Sequence, residues 1–383
     1  MIYFDNAATT GKKPVSVIKA MENAVRNYSA NPGRSGHIFS VNTAEEVYKV
    51  RKKTAEFFGA SGAENVCFTQ NCTHSINCVL KGVLRKGDHV IVSNMEHNAV
   101  MRPLIKTGIS FSKAEVSLID DSITLSNIEK LIKPNTRLVF CTGASNVTGK
   151  LLPIKAIGAL CERKGLLFGV DSAQSAGVVP INMREMNIDY LCIAPHKGLY
   201  APMGLGVLIC EKGIPFTLLE GGMGTNSIEM HQPDILPERL ESGTVNVPAI
   251  LAFGAGIDYV KSKGINNIYN AEMRLIGRLY KELSRNPQIE LYTPDPLKYG
   301  YAPVLPFNVK GVKSTTAADY LSDKGIAVRG GLHCAPLAHK AIGTIPYGTI
   351  RVSVATFNSM DEIDKLLAVT SVKSLKNFIK TIE

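Results

Sequence analysis

Tryptophan is absent from this 383-residue chain. No stretch approaches the ~18 uninterrupted apolar residues of a membrane span, which excludes a bilayer-crossing helix. Cysteine is sparse. Its eight positions, Cys67, Cys72, Cys78, Cys141, Cys161, Cys192, Cys210 and Cys334, are too dilute for a small disulfide-stapled scaffold. The opening residues Met1-Ile2-Tyr3-Phe4-Asp5-Asn6 show no basic segment followed by an apolar run, so no secretory signal is expected. Internal repeats and low-complexity segments are missing too. The bulk composition is ordinary, 45 % apolar and 20 % charged, which excludes a disordered or collagen-like chain. Together these features predict a soluble, cytoplasmic protein with reduced thiols.

Acidic residues are outnumbered. Lys plus Arg is 43 and Asp plus Glu is 33, a formal charge of +10. That excess invites a nucleic-acid reading, but charge speaks to solubility and association rather than fold. No helix-turn-helix, zinc finger or aromatic-basic stripe accompanies it. Lys49, Lys52, Lys53, Lys81 and Lys86 are dispersed, as on a solvated surface. Neither nucleic acid nor membrane is expected as a partner.

Helical and strand patterns alternate along most of the chain. Ala44, Val47, Val50, Thr54 and Phe57-Phe58 recur at helical spacing over 41–58. A β-type run follows at Val66–Thr69, then a helix carrying Ile76, Val79, Leu80 and Val83. His89–Ser93, Arg137–Thr142, Leu166–Val170, Ile188–Ala194 and Leu205–Cys210 read as strands; His97–Lys106 and Ile154–Lys164 read as helices. Ser126-Asn127-Ile128-Glu129 has the spacing of a capping box that opens a short helix. The alternation argues for an α/β fold with a mostly parallel sheet covered by helices. Ligands bind such sheets outside the carboxyl ends of the strands. Two helical patterns, 247–262 and 268–284, lead into a smaller α+β unit. Its strands are expected at Val304–Val309, Ile326–Arg329 and Thr349–Val354, and a second capping box stands at Ser359-Met360-Asp361-Glu362.

Several motifs carry no chemistry. Gly143-Ala144-Ser145-Asn146-Val147-Thr148-Gly149-Lys150 has five residues between its glycines and Leu151 where a phosphate-binding loop needs Ser or Thr. No dinucleotide fingerprint stands between a strand and a helix. Cys67, Cys72 and Cys78, with His74 nearby, lack the close pairs of a zinc site, so no metal is expected; Cys67 and Cys78 read as core residues. Two positions stand out. Lys197 follows an apolar strand directly, where a partly desolvated amine has a lowered pKa and can form a Schiff base. Asp171 ends the strand at Leu166–Val170, either capping the next turn or pairing with a protonated ring nitrogen. A Schiff-base lysine and an acidic pyridinium partner are the two groups that pyridoxal phosphate needs.

At these residues the chain resembles the class V aminotransferase-fold enzymes, specifically cysteine desulfurases of the subgroup shared with selenocysteine lyases. The resemblance runs from Tyr3-Phe4-Asp5-Asn6-Ala7-Ala8-Thr9 to Gly348-Thr349-Ile350-Arg351-Val352-Ser353. Between them lie Met95-Glu96-His97-Asn98, Ser145-Asn146-Val147-Thr148-Gly149, Val170-Asp171-Ser172-Ala173-Gln174, His196-Lys197 and Glu241-Ser242-Gly243-Thr244. The most specific stretch is Arg329-Gly330-Gly331-Leu332-His333-Cys334-Ala335-Pro336. It implies the fold of type I pyridoxal-phosphate-dependent transferases, with a large cofactor domain over 15–255 and a small C-terminal domain over 256–383 together with 1–14. No composition shift marks the boundary.

The resemblance also implies roles. Lys197 carries the cofactor, Asp171 pairs with its ring nitrogen, Gln174 bonds its phenolate oxygen, and His97 stacks on the ring and shuttles protons. Thr73, at a helix start, and His196 hold the phosphate, with Cys72 beside them. Thr244 reaches the phosphate of a neighbouring subunit, which implies a homodimer. Asn146 and Arg351 bind the substrate carboxylate, flanked by Arg329 and His333. Cys334 decides the reaction. It sits in a polar, flexible context, and Arg329 and His333 nearby are expected to favour its thiolate. The implied activity converts L-cysteine to L-alanine with the sulfur left on Cys334 as a persulfide, for a thiol or an acceptor protein to collect. The competing readings are a selenocysteine lyase acting on L-selenocysteine and an inactive sulfur-relay scaffold. Leu332 stands where the subgroup often has a second His, Ala194-Pro195 where it often has a phosphate-binding Ser, and Cys72 at a usually small position. These departures place the chain in a divergent branch.

Overall fold

The computed structural model describes residues 1–33, 35–222, 224 and 228–382. The first part of the chain supplies β1 (Ile2–Tyr3), α1 (Val15–Asn27), α2 (Ile38–Phe58), β2 (Val66–Thr69), α3 (Cys72–Val83), β3 (His89–Ser93), α4 (Asn98–Thr107) and β4 (Ser110–Ala114). There follow α5 (Asp121–Glu129), β5 (Thr136–Thr142), α6 (Ile154–Lys164), β6 (Leu167–Asp171), β7 (Tyr190–Ile193) and β8 (Gly206–Cys210). Among the described residues β2 to β8 form one seven-stranded sheet in the order β2-β8-β7-β6-β5-β3-β4. Strands β7, β6, β5, β3 and β4 run parallel, while β8 is antiparallel to both β7 and β2.

The alternation of side chains along each strand builds two cores from one sheet. Val139 and Cys141 of β5 enter a core with Phe168, Val170, Leu191 and Ile209, covered by α2, α6 and residues 247–260 of a later helix. Leu138 and Phe140 enter the opposite core with Val90, Val92, Tyr190 and Leu208, covered by α3 and α4. Burial on both faces is why these strands read as nearly continuous apolar runs.

The rest of the chain contains α7 (Val247–Lys263), α8 (Ile265–Leu283), β9 (Ile289–Leu291), β10 (Val304–Val309), α9 (Ser314–Asp323), β11 (Ile326–Ala327) and β12 (Arg329–Gly331). It closes with α10 (Pro336–Ala341), β13 (Thr349–Ser353), α11 (Met360–Val369) and α12 (Val372–Ile382). An antiparallel sheet in the order β12-β13-β10-β9 covers a third core that includes Phe4, Leu305, Phe307, Ile350, Val352 and Leu366. Residue 255 falls inside α7, whose Ile257 and Val260 still pack in the first core. The cores meet along α8: Ile268 belongs to the first, and Leu275, Ile276 and Leu279 to the third.

Three local expectations change. The helix near Ser126 begins earlier, at Asp121, because Asp120 caps it by accepting the Ser122 amide at 2.8 Å. Ser126 and Glu129 are neighbours inside it instead. The strand expected over Ile326–Arg329 is split: β11 pairs with β1, whereas β12 pairs with β13. Two elements were not expected: α1, an amphipathic helix that packs on α7, and β4, a largely exposed edge strand beside β3 whose run Ser110-Phe111-Ser112-Lys113-Ala114 carries little apolar pattern.

A buried ion pair ties α2 to the sheet. Arg51 reaches Glu241 through both terminal nitrogens, at 2.6 and 2.5 Å, and Glu241 also accepts the Phe68 amide of β2. Both side chains are nearly inaccessible. Arg51→Met strands the Glu241 charge in the interior, and should lower the free energy of unfolding by about 3–5 kcal/mol. Urea unfolding checks it; a change under about 1 kcal/mol would show the pair to be as weak as a surface pair.

Candidate active site

The carboxyl ends of β2, β5, β6 and β7 surround a cavity of about 140 Å³. Eight of the expected site residues line it: Cys72, Thr73, His97, Asn146, Asp171, Gln174, His196 and Lys197. Each stands at the end of a strand, in the loop that follows one, or at the first turn of a helix, as strand-end chemistry requires.

Lys197 lies in the turn after β7. Its main-chain carbonyl accepts the Thr10 hydroxyl at 2.5 Å. The close approach of α7 to this turn depends on Gly256, where a Cβ would fall 2.0 Å from the Leu199 oxygen. Burial lowers the Lys197 pKa, and the Asp171 carboxylate opposes the fall. Asp171 accepts the Ala173 amide at 2.9 Å and the Cys72 thiol at 3.7 Å. Burial, followed by the Asp171 charge, pushes that thiol well up, so Cys72 is a protonated donor. Gln174 donates to the Ala7 carbonyl at 2.9 Å.

His97 caps α4. Its Nδ1 accepts the Ala99 amide at 3.0 Å, which leaves the ring proton on Nε2. Burial lowers its pKa, so the ring is neutral near pH 7. Thr73 follows the first residue of α3, and Asn71 caps that helix by accepting the His74 amide at 2.9 Å. The amides of such a first turn lack intrahelical partners and suit an anion. His196 meets the Thr9 hydroxyl at 3.0 Å and is held neutral, its pKa lowered to about 4 by burial and then by Lys197 and Lys13.

Arg351, on β13, is almost fully buried at 1 % exposure. One terminal nitrogen donates to Asp5 at 2.7 Å and the other to the Asn146 carbonyl at 2.9 Å, while Nε has no protein partner. Arg329 of β12 stands directly across from Arg351 in the strand register. The Asn146 amide donates to the His333 carbonyl at 2.7 Å. Cys334 is exposed, and its carbonyl accepts the Asn98 amide at 2.7 Å.

The other five expected site residues, Arg329, Arg351, His333, Cys334 and Thr244, do not line this cavity, and two of them depart from their expected roles. Thr244 lies outside the cavity and accepts the Asn31 amide at 3.2 Å. His333 does not line the cavity, and it does not support the Cys334 thiolate with a positive charge. Its ring is 3 % exposed, with Nε2 against the Arg329 carbonyl and Nδ1 against His339. Burial, then the Arg351 charge, lowers its pKa to about 2, so it is neutral.

Asp5 and Glu96 had no separate role in the sequence reading, although both lie in its quoted motifs. Glu96 is fully buried. Its Oε1 accepts the Thr142 amide at 2.9 Å and both the amide and the hydroxyl of Ser93, joining the ends of β3 and β5; its Oε2 has no partner.

An aminotransferase class-V family model matches residues 2–366. A probable cysteine desulfurase from Methanothermobacter thermautotrophicus is 32 % identical over 95 % of this chain and 92 % of its own length. A cysteine desulfurase from Cronobacter sakazakii is also 32 % identical, over 96 % of this chain and 92 % of its own. The apo structure of a cysteine desulfurase from Thermococcus onnurineus NA1 superposes with a TM-score of 0.90 at 32 % identity, covering 98 % of this chain and 95 % of that one.

Burial pushes the Glu96 pKa up to about 8. The folded protein keeps this proton while the unfolded chain releases it near pH ~4.3, so Glu96 costs stability progressively as pH rises between those values. Glu96→Gln removes the effect. Its stability relative to the parent should improve steadily from about pH 5 to about pH 8 and then level off. Denaturation curves across that range check it; a difference independent of pH would show that Glu96 is ionised in the fold.

Proposed function

Because the chain belongs to the aminotransferase class-V family, among its cysteine desulfurases, we propose that it converts L-cysteine to L-alanine with pyridoxal phosphate and leaves the sulfur on Cys334 as a persulfide. The observation that carries the reading is the attachment of the Cys334 turn to the cavity. Asn98, next to His97, grips the Cys334 carbonyl, and Asn146, in the cavity lining, grips the His333 carbonyl. Transfer of an amino group alone has no use for an exposed thiol held there.

The lining fits the cofactor. The first turn of α3 with Thr73 suits a phosphate, and neutral His196 can donate to it without adding charge. Asp171 is the one carboxylate among the described residues lining the cavity, the natural partner of a protonated ring nitrogen. Gln174 offers an amide, His97 a flat ring, and Lys197 an amine whose basicity burial has lowered. When bound, pyridoxal phosphate supplies an electron sink for negative charge at the substrate α-carbon.

The protein's residues divide the remaining work. Arg351 Nε, without a protein partner, and Asn146 receive the substrate carboxylate. Lys197, its basicity lowered by burial, takes the α-proton, and His97 holds its own proton on Nε2, available for return. The Cys334 thiolate attacks the substrate sulfur. A sulfur–sulfur bond forms, the Cβ–S bond breaks, and its electron pair stays with Cβ, which takes a proton to become the methyl group of alanine. One thiol and one cysteine thus yield one persulfide and one alanine without an external oxidant. A small thiol or an acceptor protein then removes the sulfur. The reading places the protein in a reducing cytoplasmic setting, since Cys334 must return to a free thiol after each turnover.

The reading also includes a homodimer. Thr244 stands between Gly243 and Val245, which border a different cavity, of about 430 Å³, shared with Asn31 and with Tyr48 of α2. A second copy covering that cavity would bring Thr244 to its partner's phosphate site.

Incubation with L-cysteine and a reductant, with alanine and sulfide both measured, tests the proposal. Lys197→Ala should abolish both products. Cys334→Ala should abolish sulfide release while the absorbance of bound cofactor remains. A colourless protein unable to take up pyridoxal phosphate, or full sulfide release by Cys334→Ala, would overturn it.

A further inference from the structure

His333 and Cys334 both occupy the left-handed backbone region, with φ of 51° and 57°. Two consecutive side-chain-bearing residues there are disfavoured, and such a conformation persists only where its surroundings over-determine it. The carbonyls of these residues are gripped by Asn146 and Asn98. The His333 side chain is held by a buried line of polar groups. His333 Nε2 lies 3.1 Å from the Arg329 oxygen, His333 Nδ1 lies 3.2 Å from His339 Nε2, and His339 Nδ1 lies 2.7 Å from the Thr344 hydroxyl. None of the three side chains is open to water: their residues are 3 %, 0 % and 6 % exposed.

The direction of this line follows from its end. A carbonyl only accepts, so His333 Nε2 must carry a proton. A neutral His333 then accepts at Nδ1 from the Nε2 hydrogen of His339. That leaves His339 Nδ1 to accept the Thr344 hydroxyl hydrogen, whose other acceptor, the His339 carbonyl, is farther away at 3.3 Å. This arrangement satisfies every ring nitrogen with both rings uncharged. The reverse direction needs either a bare His333 Nε2 facing the carbonyl or a doubly protonated His333. Burial and the Arg351 charge disfavour the latter, lowering His333 to about 2 and His339 to about 4.

We propose that His339 and Thr344 are positioning residues: their one-way hydrogen-bond line locks the His333 ring and so holds the Cys334 turn in the left-handed conformation that Asn146 and Asn98 grip. The line ends on the main chain of Arg329, whose strand pairs with the strand of Arg351. The turn bearing the thiol is thereby tied to the strand that carries the substrate-binding arginine. The proposal rests on the reading of Cys334 as the sulfur acceptor.

His339→Phe keeps a ring in place but removes both nitrogens. His339→Gln restores a donor and an acceptor near the positions of Nε2 and Nδ1. In the holoenzyme, His339→Phe should lower kcat for alanine formation from L-cysteine roughly tenfold or more. Its KM and the change in cofactor absorbance on adding L-cysteine should stay within about twofold of the parent, because binding and α-proton removal do not involve Cys334. His339→Gln should recover most of the rate. Unchanged kcat in His339→Phe, or an equal loss in both variants, overturns the proposal. Nitrogen NMR of the unmodified holoenzyme, selectively labelled at histidine, gives a second measurement that no folding defect affects. His333 and His339 should both be neutral with the proton on Nε2 from about pH 5.5 to 8. A proton on Nδ1 of either ring, or a charged ring, overturns the proposal. If the unmodified enzyme forms no alanine from L-cysteine, the desulfurase reading falls while the nitrogen spectra still decide the direction of the line.

Discussion

A guanidinium removed from water must find its partners inside the protein, and Arg351 finds them in two distant parts of the chain. Asp5 comes from the N-terminal segment and the Asn146 carbonyl from the loop after β5, while Arg351 itself belongs to the small sheet. Leaving such a cation unpaired costs several kcal/mol, so these segments are brought together at one point. Asn146 passes the constraint on to His333, and the Cys334 carbonyl is held in turn by the cap of α4 beside His97. A series of polar contacts therefore runs from the buried arginine to the main chain of the thiol-bearing turn and back to the helix cap beside the cavity.

The same geometry gives the site its charge. Lys197 and Asp171 line the cavity, the charges of Arg329 and Arg351 reach Lys197 from outside it, and His97 and His196 remain neutral because burial, aided by nearby cations, opposes their protonation. The field favours anionic ligands such as a substrate carboxylate and a phosphate, and it favours a lysine that can lose its proton. Glu96, kept protonated by burial, joins the strand ends without adding a second negative charge beside Asp171.

The thiols are sorted by the same principle. Cys67, Cys78, Cys141, Cys161 and Cys192 lie in the cores; burial pushes the pKa values of the last four up, and at Cys67 a hydrogen bond with Cys210, followed by burial, does the same. As protonated core side chains they are poor nucleophiles. Cys72 is held as a donor to Asp171, and Cys210 is enclosed in the sheet. Cys334 alone of the eight is exposed.

Much of this was legible in the sequence, because it depends on local order. Strand and helix periodicities reflect which face of each element is buried, so the succession of elements from α2 to β8, apart from the edge strand β4, followed from pattern alone. The positions of Lys197 and Asp171 after apolar strands put both at one sheet edge, and the linear motifs carried the remaining candidates. Contacts between distant residues leave no such local trace. The pairing of Asp5 with Arg351 across 346 positions, the use of Glu96 as a neutral buried acid, and the packing of α1 on α7 were decided only in the tertiary structure. His333 shows the difference most clearly. Its place beside Cys334 suggested a cation that would favour the thiolate, but whether a histidine carries charge depends on its solvation and partners. Only the fold decided that its ring is buried, fully bonded and neutral, because burial is a property of the assembled chain and not of the neighbouring residues.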